Sequence, residues 1–385
     1  MIQDEFRVGR RHFVKTLVAG AAAGMTAGAW AQDGGAIVLG QSCALTGFSA
    51  ELGLQYHQGA QVFFDDLNAR GGVNGREVRL RALDDGYEPE RCVANTQRFI
   101  QDDVFALFGY VGTPTSMAAL PLVQQARIPL FAPLTGAQGL RQQNLRQLVF
   151  NVRASYADET ALMVRQLTGL GLKKIAVFYQ NDAYGQSGLE GVTAALVQQG
   201  LSPVGSATVE RNSANVKDAV QKLIALAPDV IVQVTTYAAS AGFVREARAA
   251  GYGGQFYNVS FVGTSALQNA LGKDADGVVV TQVVPSPFKT SHPLTREFLA
   301  MLAKSGKKLQ PNYSSMEGFL AARVFTEGPR RAASGGKLTR ESLVAALEAL
   351  NGQQVSGFPV AFQSQSAKAR FVELSMLTSD GKVRV

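Results

Sequence analysis

The sequence predicts an α/β protein built as two doubly wound parallel-sheet lobes joined by a three-crossing hinge. Three observations carry that expectation. Apolar runs of four to six residues alternate with amphipathic stretches of ten to fifteen, the pattern of βαβ units. The alternation falls into two series that divide near Asn151, and helical stretches return after the second. The chain has 385 residues, 46% hydrophobic and 17% charged. At about 100–200 residues per domain, that length and apolar content call for two cores.

The first series opens with the apolar run Ala36–Leu39 and a loop from Gly40 to Ser49. Ala60, Phe63, Phe64 and Leu67 recur at helical spacing between Leu54 and Arg70, and Gly71-Gly72 stops that helix. Val78–Leu83 alternates apolar residues with arginine, as a strand does, before Asp84-Asp85. Helix Pro89–Gln101, strand Phe105–Phe108, helix Thr115–Gln125 and strand Ile128–Phe131 complete the series.

The second series runs through helix Asp158–Leu167, strand Lys174–Tyr179, helix Leu189–Gln199 and strand Pro203–Val209. Helix Val216–Leu226, strand Val230–Val234, helix Ala239–Ala250 and strands Gln255–Tyr257 and Gly277–Thr281 follow. Helices near Leu294–Lys304, Ser314–Arg330 and Thr339–Leu350 precede a last strand, Phe371–Leu377. Crossings between lobes are expected at Asn151–Tyr156, Val283–Pro287 and Gln354–Pro359. Lobe I is then residues 36–152 and 286–355, and lobe II residues 153–285 and 356–385. Ligands of open parallel sheets sit beyond the carboxyl ends of the strands, which places a site between the lobes.

The N-terminus reads as an address. Gly9-Arg10-Arg11-His12-Phe13-Val14-Lys15 precedes a weakly apolar stretch, Leu17–Ala29, and then Ala29-Trp30-Ala31. Paired arginines, a short apolar segment and small residues two apart predict a cleavable export signal of twin-arginine type over residues 1–31. Its removal takes four basic and two acidic residues with it, lowering the formal charge of +7 by two. No later run approaches the roughly 18 apolar residues of a membrane span, so a periplasmic protein is expected.

The remaining charge is scattered among acids, which argues against a nucleic-acid partner. Three histidines and two cysteines offer no structural zinc pattern, and no cofactor is expected. Cys43 and Cys92 form a disulfide in an oxidising compartment, or stand as two buried thiols. Asp84-Asp85 at a strand end reads as a loop anchor, because neighbours on an extended chain point to opposite faces. Gly185, Gly188 and Gly191 lack both the dinucleotide and the P-loop spacing, so they read as close helix packing. No histidine is placed by sequence beside Ser187 or Ser265, so no hydrolytic centre emerges.

Hydroxyls, aromatics and glycines gather instead at strand ends. They include Gly109–Ser116, Pro133–Ala137, Tyr184 and Tyr237, with Tyr156 at the first crossing. Such groups suit a small polar or carboxylated molecule. With Leu45-Thr46-Gly47, the run Ala69–Arg76, Asp84-Asp85, Ala132-Pro133 and Asp182-Ala183-Tyr184-Gly185, the chain resembles type I periplasmic substrate-binding proteins of ABC importers. The leucine/isoleucine/valine-binding class is the resemblance, and it covers residues 36–385.

The resemblance implies that Thr113, the backbone of Leu134, Thr135 and Gly136, and the Thr135 hydroxyl hold a ligand carboxylate. It also implies that Tyr184 and Tyr237 close over the ligand from lobe II. Tyr156 and Ser260 fall where the family's amino-acid binders carry acids for the ligand ammonium. An amine-free carboxylate is therefore as well suited as an amino acid, unless Asp182 or Glu317 restores an acid. The implied function is a monomeric receptor that closes on a small carboxylate and hands it to an inner-membrane ABC permease. A ligand sensor coupled to a signalling partner and an exported α/β enzyme are the alternatives.

Overall fold

The computed structural model describes residues 35–362 and 370–385. The export signal expected over residues 1–31 lies outside them. The first sheet comprises β1 (Ile37–Cys43), β2 (Val78–Asp84), β3 (Ala106–Phe108), β4 (Leu130–Phe131) and β5 (Val149–Phe150), in spatial order β2-β1-β3-β4-β5. All its pairings are parallel, beginning with Ile37 opposite Val78. Helices α1 (Ala50–Ala69), α2 (Pro89–Gln101) and α3 (Thr113–Ala126) make the crossovers.

The second sheet is larger. It is entered through α4 (Tyr156–Gly169) and built from β6 (Ile175–Gln180), β7 (Gly205–Val209), β8 (Val230–Val234), β9 (Gln255–Asn258) and β10 (Val279–Gln282). Helices α5 (Ala183–Val197), α6 (Lys217–Ile224), α7 (Tyr237–Ala249) and α8 (Thr264–Leu271) connect these strands. The chain then returns through α9 (Pro293–Ser305), α10 (Tyr313–Ser334) and α11 (Arg340–Glu348), followed by the short strands β11 (Gln354–Val355) and β12 (Phe358–Pro359). Finally β13 (Glu373–Leu377) and β14 (Val383–Arg384) add antiparallel to the second sheet, giving β14-β13-β10-β9-β8-β6-β7.

Helix α10 belongs with the first sheet although it is distant in sequence. Its Gly318 and the Gly59 of α1 let the two helices touch backbone to backbone. A Cβ on Gly59 would run into the Ser315 carbonyl, and one on Gly318 into that of Tyr56. Phe108, Phe131 and Phe325 pack beneath, with ring centroids 5.2 to 6.1 Å apart. The second sheet has its own core, in which Phe178 stacks on Phe243 at 4.2 Å.

Several elements differ from the sequence reading. Helix α5 begins at Ala183, six residues early, because Asp182 caps it by accepting from the amides of Tyr184 and Gly185. Tyr156, expected at the first crossing, begins α4, and Tyr237, expected at a strand end, begins α7. Strands β5 and β14, two residues each, and helix α8 had no periodic signal long enough to read. Gln354–Pro359, expected as a crossing, contains the hairpin of β11 and β12. Beyond it Phe362 packs on Phe131 and Phe150 of the first sheet, and Arg370 pairs with Asp158 of α4 at 2.8 Å. Cys43 and Cys92 stand as separate buried thiols, without the expected disulfide, and burial raises the pKa of both.

Candidate functional site

The loops at the carboxyl ends of the first sheet are held by Asp84 and Asp85. Asp84 accepts from the amides of Leu45 (2.8 Å) and Gly86 (3.0 Å), the Thr46 hydroxyl (2.7 Å) and Arg91 (2.8 Å). Burial alone would raise its carboxyl, but these donors together bring it down to about 2. Asp85 accepts from the Ser42 hydroxyl at 2.6 Å and the Tyr87 amide at 2.9 Å. Desolvation wins there and pushes it up to about 6. The pair is a loop anchor, as its spacing implied.

Thr113 and Thr135 meet above this frame. Thr113 is the first residue of α3, and Gly112 before it adopts φ 105°, where a Cβ would strike the Tyr87 ring. The Thr113 and Thr135 hydroxyls lie 2.6 Å apart, both residues fully buried. Burial raises the pKa of the Tyr156 hydroxyl, against which Arg153 and the two threonine hydroxyls pull, and that hydroxyl has no hydrogen-bond partner among the described residues. Gly136 makes this approach possible, since a Cβ there would sit 2.6 Å from the Tyr156 ring and amide.

The Leu134 amide is not free as expected: it donates to the Tyr110 carbonyl at 2.7 Å, while that of Thr135 donates to Pro133 at 2.9 Å. Of this segment only the Gly136 amide has no backbone acceptor among the described residues.

Aromatic rings cover the group, Tyr156, Tyr184 and Phe261 following the first sheet in sequence and Tyr87 belonging to its loop after β2. Tyr156 and Tyr184 lie 5.4 Å apart, Tyr184 and Phe261 4.8 Å, and Phe261 and Tyr87 6.0 Å. The Tyr184 hydroxyl donates to the Thr235 carbonyl at 3.3 Å. Tyr237 is only partly buried and reaches the backbone of Glu51 on α1. It bridges the lobes without joining the threonine group in any recorded contact.

Sequence reasoning missed the charges. Arg153, 2% exposed, places its Nη2 3.4 Å from Glu159 and donates to the Ser260 hydroxyl. Its Nε lies 3.6 Å from Glu317. Glu159 also accepts from the Ser260 amide at 2.7 Å, the Ser260 hydroxyl at 3.0 Å and the Thr281 hydroxyl. Tyr156 and Ser260 are not acids, but Glu159, which was not foreseen, supplies one beside them, and Glu317, named as able to restore an acid, lies near as a second. Glu159 follows Tyr156 by three residues on one helix, and that spacing was the available signal.

Burial pushes Glu317 up to about 7 against the pull of Arg153. Asp182, the other acid considered, is occupied as the α5 cap and by Arg211 at 3.6 Å.

The histidines fill structural places. His57 bonds Gln41 at 2.6 Å, and His292 caps α9. The triplet Gly185, Gly188 and Gly191 serves packing: Gly188 lies against Val234, and Gly191 against Thr160. Ser260, Glu317, Leu134 and Tyr313 line a gap of only about 10 Å³ between the lobes. Among the described residues no helix is long and apolar enough to cross a membrane, and no cluster of His, Cys, Asp or Glu could hold a metal ion.

Two α/β lobes closed over a seam of hydroxyls, rings and paired charges define a two-lobe binding protein. The chain belongs to the periplasmic binding protein family, which matches residues 36–376, and its likeness is to the type I, leucine/isoleucine/valine-binding class. A substrate-binding periplasmic protein from Ralstonia solanacearum is 35% identical, with a TM-score of 0.83 over 90% of this chain and 99% of that one. A possible leucine/isoleucine/valine-binding protein from Rhodopirellula baltica SH 1 is 34% identical, with a TM-score of 0.84 over 91% and 96%. An amino acid binding protein of Pseudomonas aeruginosa is 27% identical over 64% of this chain, and the match spans 66% of that relative's length. The family consists of substrate-binding proteins, and this chain is one of them and not an enzyme.

Proposed function

We propose that the protein is a solute receptor that captures a small carboxylate-containing molecule between its lobes and delivers it to an ABC-type permease of the inner membrane. The observation that carries the reading is the buried hydroxyl pair Thr113–Thr135 at the start of α3, with the Tyr156 hydroxyl beside it. Two hydroxyls, a helix-start backbone and the Gly136 amide are donors that match the two oxygens of a carboxylate. The names of the relatives, an amino acid binding protein and a possible leucine/isoleucine/valine-binding protein, agree with a ligand of this class. Export by the N-terminal signal, with cleavage after Ala31, brings the receptor to the periplasm.

Capture needs no chemical step. The lobes part, the ligand docks on Thr113 and Thr135, and closure brings Tyr184 and Ser260 against it. The hinge transition is of the kind common to two-lobe receptors.

The test is calorimetric titration of the purified protein with small carboxylic acids and amino acids, repeated on Thr113→Val. A ligand of the wild type should bind the variant weaker by about 1–3 kcal/mol, the scale of a lost buried hydrogen bond. The thermal midpoint without ligand should fall only modestly, through loss of the Thr113–Thr135 hydrogen bond, with the fold retained. Equal affinity in the two proteins removes Thr113 from the site.

A further inference from the structure

Resting on that reading of the cleft, we propose that Arg153 sets the ligand class: by occupying both buried acids of the seam, it selects carboxylates that carry no α-ammonium group. An ammonium needs acceptors, since it brings donors alone. Glu159 has none to spare, because the Ser260 amide, the Ser260 and Thr281 hydroxyls and Arg153 already use its two oxygens. Glu317, on the opposite lobe, lies 3.6 Å from the Arg153 Nε, so its nearest cation is also the guanidinium. Arg153 thus stands where a ligand's amine would find its counter-charge.

A guanidinium keeps its proton in any protein environment. It cannot make room by becoming neutral, as an amine ligand beside it would require. Adding an ammonium would put a second cation beside the guanidinium, with the Glu159 oxygens fully used and Glu317 already the counter-charge of Arg153.

Arg153 also offers an attraction. Its Nη1 is buried and has no hydrogen-bond partner among the described residues. Tyr156 lies within its electrostatic reach, and the Tyr156 hydroxyl has no hydrogen-bond partner among the described residues either. A buried unpaired donor on a cation is costly unless an anion meets it. A carboxylate seated on Thr113 and Thr135 would meet it.

The experiment titrates matched pairs differing only in the amine, such as 4-methylpentanoate with leucine and 3-phenylpropanoate with phenylalanine. The proteins are wild type, Arg153→Met and Glu317→Gln, and the readout is the dissociation constant. Wild type should bind the amine-free member of at least one pair about 10- to 100-fold more tightly, the scale of hydrogen bonds to a charged group. In Arg153→Met the preference should shrink or invert as the acids are released. Glu317→Gln leaves Arg153 with a surplus of charge, so it should keep or widen the preference and provides the test if the methionine variant does not fold. Equal or tighter binding of the amino acids by wild type overturns the inference while leaving the carboxylate reading intact. Binding of neither class overturns both.

Discussion

Glu317 shows how one buried side chain ties stability to pH. Its carboxyl stands at about 7 in the folded protein against 4.5 ordinarily, chiefly because burial disfavours the charged form. The folded state therefore holds a proton that the unfolded chain releases at lower pH. The stabilisation is fully present below about 4.5 and is lost as pH rises through 7. The thermal midpoint of the wild type should fall across that window more than that of Glu317→Gln, which holds no titrating proton. Parallel slopes for the two proteins would show that Glu317 does not titrate there. Gly136 makes a second prediction at this scale. Alanine in its place would press a Cβ on the Tyr156 ring and should weaken ligand binding, as calorimetry would register.

The residues that were legible and those that were not divide on physical grounds. Thr113, Thr135 and Tyr184 stand beside glycine-rich turns at strand ends, and such turns are readable in a sequence. Arg153 and Glu159 flank the start of α4, where charged residues ordinarily mean capping. Asp158 does cap, forming a box with Ser155, and its neighbour Glu159 turns inward to Ser260 and Arg153. Nothing local separates two adjacent acids with such different roles. Only packing against Ser260 and Thr281, over a hundred residues away, decides between them.

At the scale of elements, the loop after β1 depends on a carboxylate at the end of β2. Asp84 collects its donors from Leu45, Thr46, Gly86 and Arg91, which lie in three stretches of chain. Its folded carboxyl lies at about 2 against 3.8 ordinarily, so its contribution is complete above 3.8 and disappears as pH falls through 2. Asp84→Asn should destabilise the protein by about 1–3 kcal/mol at neutral pH, measurable by urea unfolding. The deficit should narrow as acid protonates the wild type. An unchanged midpoint would mean the loop holds without its anchor. Long, periodic elements such as α1, α2 and β8 were plain in the sequence. The two-residue strands β5, β11 and β12 exist only through their partners and left no pattern to read.

At the largest scale, the two lobes of the described residues are closed on each other. Gln180 of β6 donates to the Tyr87 hydroxyl at 3.1 Å, and Glu88 pairs with Arg211 at 3.0 Å and Asn212 at 2.7 Å across the lobes. A gap of about 10 Å³ admits no carboxylic acid, so the lobes must part for a ligand to enter. The Glu88–Arg211 pair is partly exposed, and such pairs contribute at most about 1 kcal/mol. That pair therefore adds little to closure, and a ligand bound between the lobes would add to the buried contacts already there.

Small-angle X-ray scattering before and after saturation with the tightest-binding carboxylic acid tests this account most directly. A carboxylate held between the lobes by Thr113 and Thr135 should lower the radius of gyration, and Thr113→Val should need more ligand for the same change. An unchanged radius at saturation would contradict capture between the lobes and place the ligand elsewhere on the protein.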